Sequence, residues 1–175
     1  MSLHARIAES KLRVLKGEIH EEIHDYEFCG ESDVTKCKYL KKAIDEGRVR
    51  YLACLADIYE RTEHPMYRGY SHISLDYDVD SEEFVVYYLT GVRFAHEYTR
   101  NVKTYKNLED AVKDFIRRAK RFIKKRMGEE IYGVKRGLVV LEECVKKIYD
   151  ELKDLAEKAG FTVEFIPNYY ETFMG

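Results

Sequence analysis

The stretch HISLDYDV (residues 72–79), followed after the four residues DSEE by FVVYYL (residues 84–89), decides the fold class. In the first segment Ile73, Leu75, Tyr77 and Val79 fall on one side of an extended chain, and His72, Ser74, Asp76 and Asp78 on the other. Strict alternation of this kind predicts a half-buried strand with a polar outer face. The second segment is apolar on both sides, which suits a central strand. Gly91 then predicts a turn into a third strand, where Val92, Phe94, Tyr98 and Val102 alternate with Arg93, Glu97 and Lys103. Short connections make the three an antiparallel meander.

Downstream of the meander, Asn107 is placed to cap a helix running to about Met127, with Leu108, Ala111, Val112, Phe115, Ala119, Phe122 and Ile123 turned toward the sheet. Val134, Leu138, Leu141, Val145, Ile148, Leu152, Leu155 and Ala159 then step by four and three, predicting a long amphipathic helix over 134–159. Phe161 to Phe165 is a candidate final strand. Upstream, Leu12, Leu15, Ile19, Ile23 and Tyr26 predict a helix over 3–27, and Asp33 caps a second one through about Glu46. The stretch 48–59 fits helix and strand equally. The expected architecture is one α+β domain over residues 1–175. It comprises N-terminal helices (about 3–46), a three- to four-stranded antiparallel meander with its basic helix (about 71–127), the C-terminal helix (about 134–159) and the candidate strand.

Composition narrows the function class. With 35% charged residues, a net charge of −2 and no apolar run near the roughly 20 residues a membrane helix needs, a cytoplasmic protein without membrane contact is expected. Arg6, Glu9, Lys11 and Arg13 interrupt the N-terminal apolar residues, so no secretory signal is expected. The near-neutral charge argues against a general nucleic-acid packaging protein, but permits a local basic patch. Cys29, Cys37, Cys54 and Cys144 lack C-x-x-C spacing, which removes a zinc knuckle or redox pair. Glutamine is absent and asparagine occurs only at 101, 107 and 168 amid abundant Lys, Arg and Glu, the habit of a thermophile's protein. In such an organism a Cys29–Cys37 disulfide is compatible with an intracellular location.

Three stretches are candidate sites for chemistry. Arg117, Arg118, Lys120, Arg121, Lys124, Lys125 and Arg126 crowd the end of the helix after the meander and attract phosphate, with Tyr67, Tyr70 and Tyr132 as stacking surfaces. The competing account is a solvated helix end, since Glu109, Asp110 and Asp114 at its start and cations at its end simply match the helix dipole. A second site is His20-Glu21-Glu22-Ile23-His24, an H-E-x-x-H pattern. There His20, His24 and Glu27 would bind zinc and Glu21 would serve as general base on the bound water. Against this, no G-x-x-H follows, and Glu9, Arg13 and Lys16 on the same face look like a solvated surface. The third is the carboxylate row Asp76, Asp78, Asp80, Glu82 and Glu83, able to bridge a divalent ion but better read as a polar strand face and acidic turn.

The sequence therefore favours a small non-enzymatic binding protein that contacts nucleic acid through its basic helix end and self-associates through the 134–159 helix. A zinc-dependent hydrolase is the alternative.

Overall fold

The computed structural model describes residues 2–15, 51–63, 69–92, 98–130 and 132–174. Their elements are α1 (Leu3–Leu15), β1 (Leu52–Thr62), β2 (Gly69–Asp78), β3 (Glu83–Val92), β4 (Tyr98–Tyr105), α2 (Leu108–Lys124), β5 (Val134–Val140), a 3-10 turn (Glu143–Val145), α3 (Lys146–Lys158), β6 (Thr162–Phe165) and α4 (Tyr169–Met174). Contacts group the chain into two compact units. One holds Met1–Ala53, Asp78–Glu82 and Tyr170–Gly175, the other Cys54–Tyr77 and Glu83–Tyr169.

Six strands form one sheet in the order β4-β3-β2-β1-β5-β6. Pairs β3–β4 and β1–β5 run antiparallel, and β5–β6 run parallel. The expected antiparallel meander with one optional strand is thus replaced by a larger, mixed sheet. Two misread segments account for the difference.

The first is the supposed long C-terminal helix. Residues 134–140 form a strand, and only Lys146–Lys158 is α-helical. A spacing of four, as between Val134 and Leu138, satisfies a period of two as well as a helical one. Val134, Val139 and Val140 are β-branched, and Gly137 weakens a helix. Val145, Ile148, Leu152 and Ala156 are fully buried, as are Leu138 and Val140. Most of the apolar stripe expected to seek a second copy is therefore covered within the chain, while Val134, Leu141 and Leu155 are half-buried. The second segment is 48–59, of which Leu52 onward is strand β1. Leu55 and Ala56 are adjacent and both buried, so the alternation that marks a strand is broken there.

Smaller corrections follow from the same geometry. Gly91 does not turn the chain but lies inside β3, and β4 begins at Tyr98. Tyr98 and Val102, expected inward, are 62% and 56% exposed. They sit on an edge strand whose register shifts opposite Val86 and Tyr88, with Asn101 at φ 54°. Asparagine tolerates this left-handed conformation better than most residues.

Helix α2 forms where expected, but ends at Lys124 rather than near Met127, and its Leu108 is only half-buried. The Asn107 side chain accepts a hydrogen bond from the Glu109 N–H at 2.7 Å. Ala111, Val112, Phe115, Ala119, Phe122 and Ile123 are all buried. In register, Ile58 faces Leu138 and Glu60 faces Arg136 across β1 and β5, on the side of the sheet that α2 and α3 cover. Arg136 is only 4% exposed. Its Nε donates to Glu60 at 2.7 Å and its Nη2 to Glu129 at 2.9 Å. Arg126 from the end of α2 donates to the same Glu60 oxygen at 2.8 Å. These bonds outweigh the effect of burial and hold the Glu60 carboxyl below its usual range.

In the unit that contains α1, Ser10 and Tyr51 share a 3.1 Å hydrogen bond, and Lys11 pairs with Asp80. None of the described helices is long and apolar enough to cross a membrane.

Candidate functional site

The seven cations expected to act together are divided by the fold. Asp114 is buried and takes two of them: Arg117 Nη2 donates at 2.6 Å and Arg118 Nε at 3.0 Å to the same carboxylate oxygen. Tyr105 donates its hydroxyl to the other oxygen at 2.6 Å. Burial opposes the Asp114 charge, but the bonds from Tyr105, Arg118 and Arg117 prevail and keep its carboxyl below the ordinary range. Tyr105 moves the opposite way, to about 12, through burial and then through its bond to the charged Asp114. Arg118 is itself buried, and its Nη1 donates to the Asn101 carbonyl at 2.7 Å. It holds the β4 irregularity against α2. Arg126 is likewise structural, bound to Glu60 and lying 3.5 Å from the centre of the Phe122 ring.

Four of the seven remain for a ligand. Arg121, Lys124 and Lys125 are exposed and Lys120 is half-buried, and none of the four side chains forms a hydrogen bond or ion pair with the described residues. Arg117, 60% exposed, keeps a partial role despite its bond to Asp114. To these the fold adds Arg100 of β4, whose guanidinium lies 5.6 Å from the Tyr88 ring centre, with Arg118 at 5.3 Å from the same ring. Arg100 was not among the expected site residues.

A pocket of about 130 Å³ opens at this end of α2. Arg100, Arg121, Lys125 and Arg126 supply its charge. The hydroxyl-bearing residues Ser71, Tyr88 and Thr90 of β2 and β3, together with Phe122, complete its lining. A cationic concavity with neutral hydroxyl donors is a site for an oxyanion. The stacking residues fare differently. Tyr132 is 96% exposed, whereas Tyr70 reaches over Gly91 and packs edge-on against His72 at 5.6 Å, removed from the cationic row. Tyr67 lies outside the described residues.

The other side of the sheet holds a polar seam. Ser74 and Asp76 belong to the supposedly outer face of β2, yet they are 6% and 4% exposed. Burying such groups is tolerable because they satisfy one another. Asp57 receives the Ser74 hydroxyl on one oxygen at 2.7 Å, and its other oxygen lies 2.8 Å from His72 Nδ1. Tyr87 donates to Asp76 at 2.7 Å. Burial, which the Tyr87 bond opposes and the nearby Asp57 charge reinforces, raises the Asp76 carboxyl to about 7. Cys54, half-buried beside Asp76 and Asp57, has its thiol pushed up by desolvation and then by those two carboxylates. His72 and Ser74 both bind Asp57 rather than each other, so the arrangement is not a serine nucleophile with its base.

The remaining carboxylates have separate structural tasks. Asp78 accepts the N–H groups of Asp80 and Ser81 in the turn after β2, and Glu82 lies 3.3 Å from His4. Among the described residues no group of three or more His, Cys, Asp or Glu is arranged to hold a metal ion. His20, Glu21, His24 and Glu27, with the proposed zinc, lie outside the described residues, as do Cys29 and Cys37. Cys54 and Cys144 form no disulfide.

Comparison of the chain with protein-family models, with curated proteins and with solved structures finds no match in any of the three. The geometry alone carries the functional reading.

Proposed function

We propose that this chain is a small binding protein, not an enzyme, that contacts nucleic acid through the C-terminal half of α2 and the adjoining strand β4. One observation carries the reading: Arg121, Lys124 and Lys125 stand exposed, without acidic partners among the described residues, beside Arg100 and a cationic pocket. Had these cations served only to stabilise the fold, they would be expected to pair as Arg118 and Arg126 do. Uncompensated charge in a row raises the local potential and attracts phosphates whatever the net charge of the chain.

The test is a gel-shift or anisotropy titration with labelled single-stranded and duplex oligonucleotides. Wild-type protein should bind, with affinity falling steeply as salt rises, and the Arg117→Ala, Arg121→Ala, Lys124→Ala triple variant should bind at least tenfold more weakly, by roughly 0.5 kcal/mol or more per lost contact. Equal binding by the triple variant would remove the site.

A further inference from the structure

Resting on the nucleic-acid reading above, we propose that the pocket at the end of α2 receives a terminal phosphomonoester, so that the protein recognises a phosphorylated strand end rather than the interior of a strand. Charge is the first reason. Of the four cations lining the pocket, Arg126 is committed to Glu60, which leaves Arg100, Arg121 and Lys125 without a carboxylate partner among the described residues. A backbone phosphodiester carries one negative charge, whereas a monoester carries nearly two at neutral pH. Three unpaired cations match the second better than the first.

Shape is the second reason. Strands β2 and β3 floor the pocket with Ser71 and Thr90, and α2 with its C-cap walls it with Arg121 and Lys125. At about 130 Å³ it suits a compact terminal group, whereas a continuous strand would have to enter and leave. The hydroxyls of Ser71 and Thr90 donate to phosphate oxygens without adding charge. Arg121 lies both in the pocket and, with Arg117 and Lys124, in a row at spacings of four and three along α2. A strand whose end sits in the pocket would therefore continue along that row.

Three oligonucleotides of one sequence test this, carrying a 5′-phosphate, a 3′-phosphate or hydroxyls at both ends, each labelled away from the end in question. Wild-type protein should bind one phosphorylated form at least about tenfold tighter than the hydroxyl form, the gain expected of one or two charge-assisted hydrogen bonds. Arg100→Gln and Thr90→Val should each weaken the phosphorylated form more than the hydroxyl form and so reduce that preference. Arg100 is exposed, so its variant keeps the assay decisive if Thr90→Val misfolds. Inorganic phosphate at millimolar concentration should erase the preference. Equal binding of all three oligonucleotides overturns the strand-end proposal and leaves the nucleic-acid reading intact. Binding of none overturns both. Binding of inorganic phosphate by calorimetry, with no end preference, would assign the pocket to free phosphate and overturn the strand end as its ligand.

Discussion

Replacing Asp76 with asparagine should stabilise this protein at neutral pH and leave it nearly unchanged at pH 4. Asp76 is 4% exposed and its carboxyl is raised to about 7. Burial is the main cause, opposed by the Tyr87 hydrogen bond and reinforced by Asp57. An aspartate in the unfolded chain titrates near 3.9, so the difference of about three pH units corresponds to roughly 4 kcal/mol. The sign follows from proton counting. Below about pH 4 both states are protonated and the group contributes nothing. Between about 4 and 7 the unfolded chain ionises while the folded one does not, so stability declines by as much as about 1.4 kcal/mol per pH unit. Above 7 the penalty is complete and constant. Asparagine has no charge to lose, and its carbonyl can still accept from Tyr87. Urea unfolding of both proteins from pH 4 to 8 should show a gap that opens with pH, toward about 4 kcal/mol in favour of the variant. A gap that does not vary with pH, or a wild-type protein that is the more stable at pH 8, would refute the reasoning.

Two further substitutions test the packing. Glu60→Gln leaves Arg126 and the buried Arg136 without their shared carboxylate, and should cost about 2–4 kcal/mol in denaturant melts. It should cost more than Arg136→Met, which removes a buried charge and leaves Glu60 paired with Arg126. Because Glu60 is held below its usual range, its contribution is present above about pH 4.3, the unfolded value, and disappears as pH falls through the depressed folded one. A melt insensitive to Glu60→Gln would contradict this. Gly137→Ala would place a Cβ 2.5 Å from the Tyr59 ring, which stacks on His72 at 5.6 Å. A loss of about 1–3 kcal/mol is expected, with a changed His72 ring signal by NMR and partial recovery in a Gly137→Ala, Tyr59→Leu double variant. Unaltered His72 resonances would mean that Tyr59 does not depend on the missing side chain.

How far the sequence could be read depends on whether the decisive partners were local. Helix α2 was legible because its cap and buried face are written within its own turns. The Asp114 bonds to Arg117 and Arg118 follow the same logic, since three and four residues separate them along the helix. Nothing local reveals that Arg126 is bound by Glu60, which lies 66 residues away. Strand β5 is hidden in the sequence because a step of four residues serves both periodicities, and Gly137 disfavours a helix without favouring a strand. Alternation in β2 separated its two faces correctly but gave no sign of what covers them, so Asp76 was placed in water. Asp57 fell in the undecided stretch 48–59, which concealed its bond to His72. Arg100 escaped notice because an irregular register, not simple alternation, sets its position beside α2.

The most direct measurement is the slope of log affinity against log salt for a single-stranded oligonucleotide. If Arg100, Lys120, Arg121, Lys124 and Lys125 each neutralise one phosphate, the slope should be about −3.5, at about 0.7 per contact. The triple variant lacks two of these five and should fall to about −2. Slopes that coincide for the two proteins, or lie near zero for the wild type, would contradict a phosphate-binding surface at the end of α2.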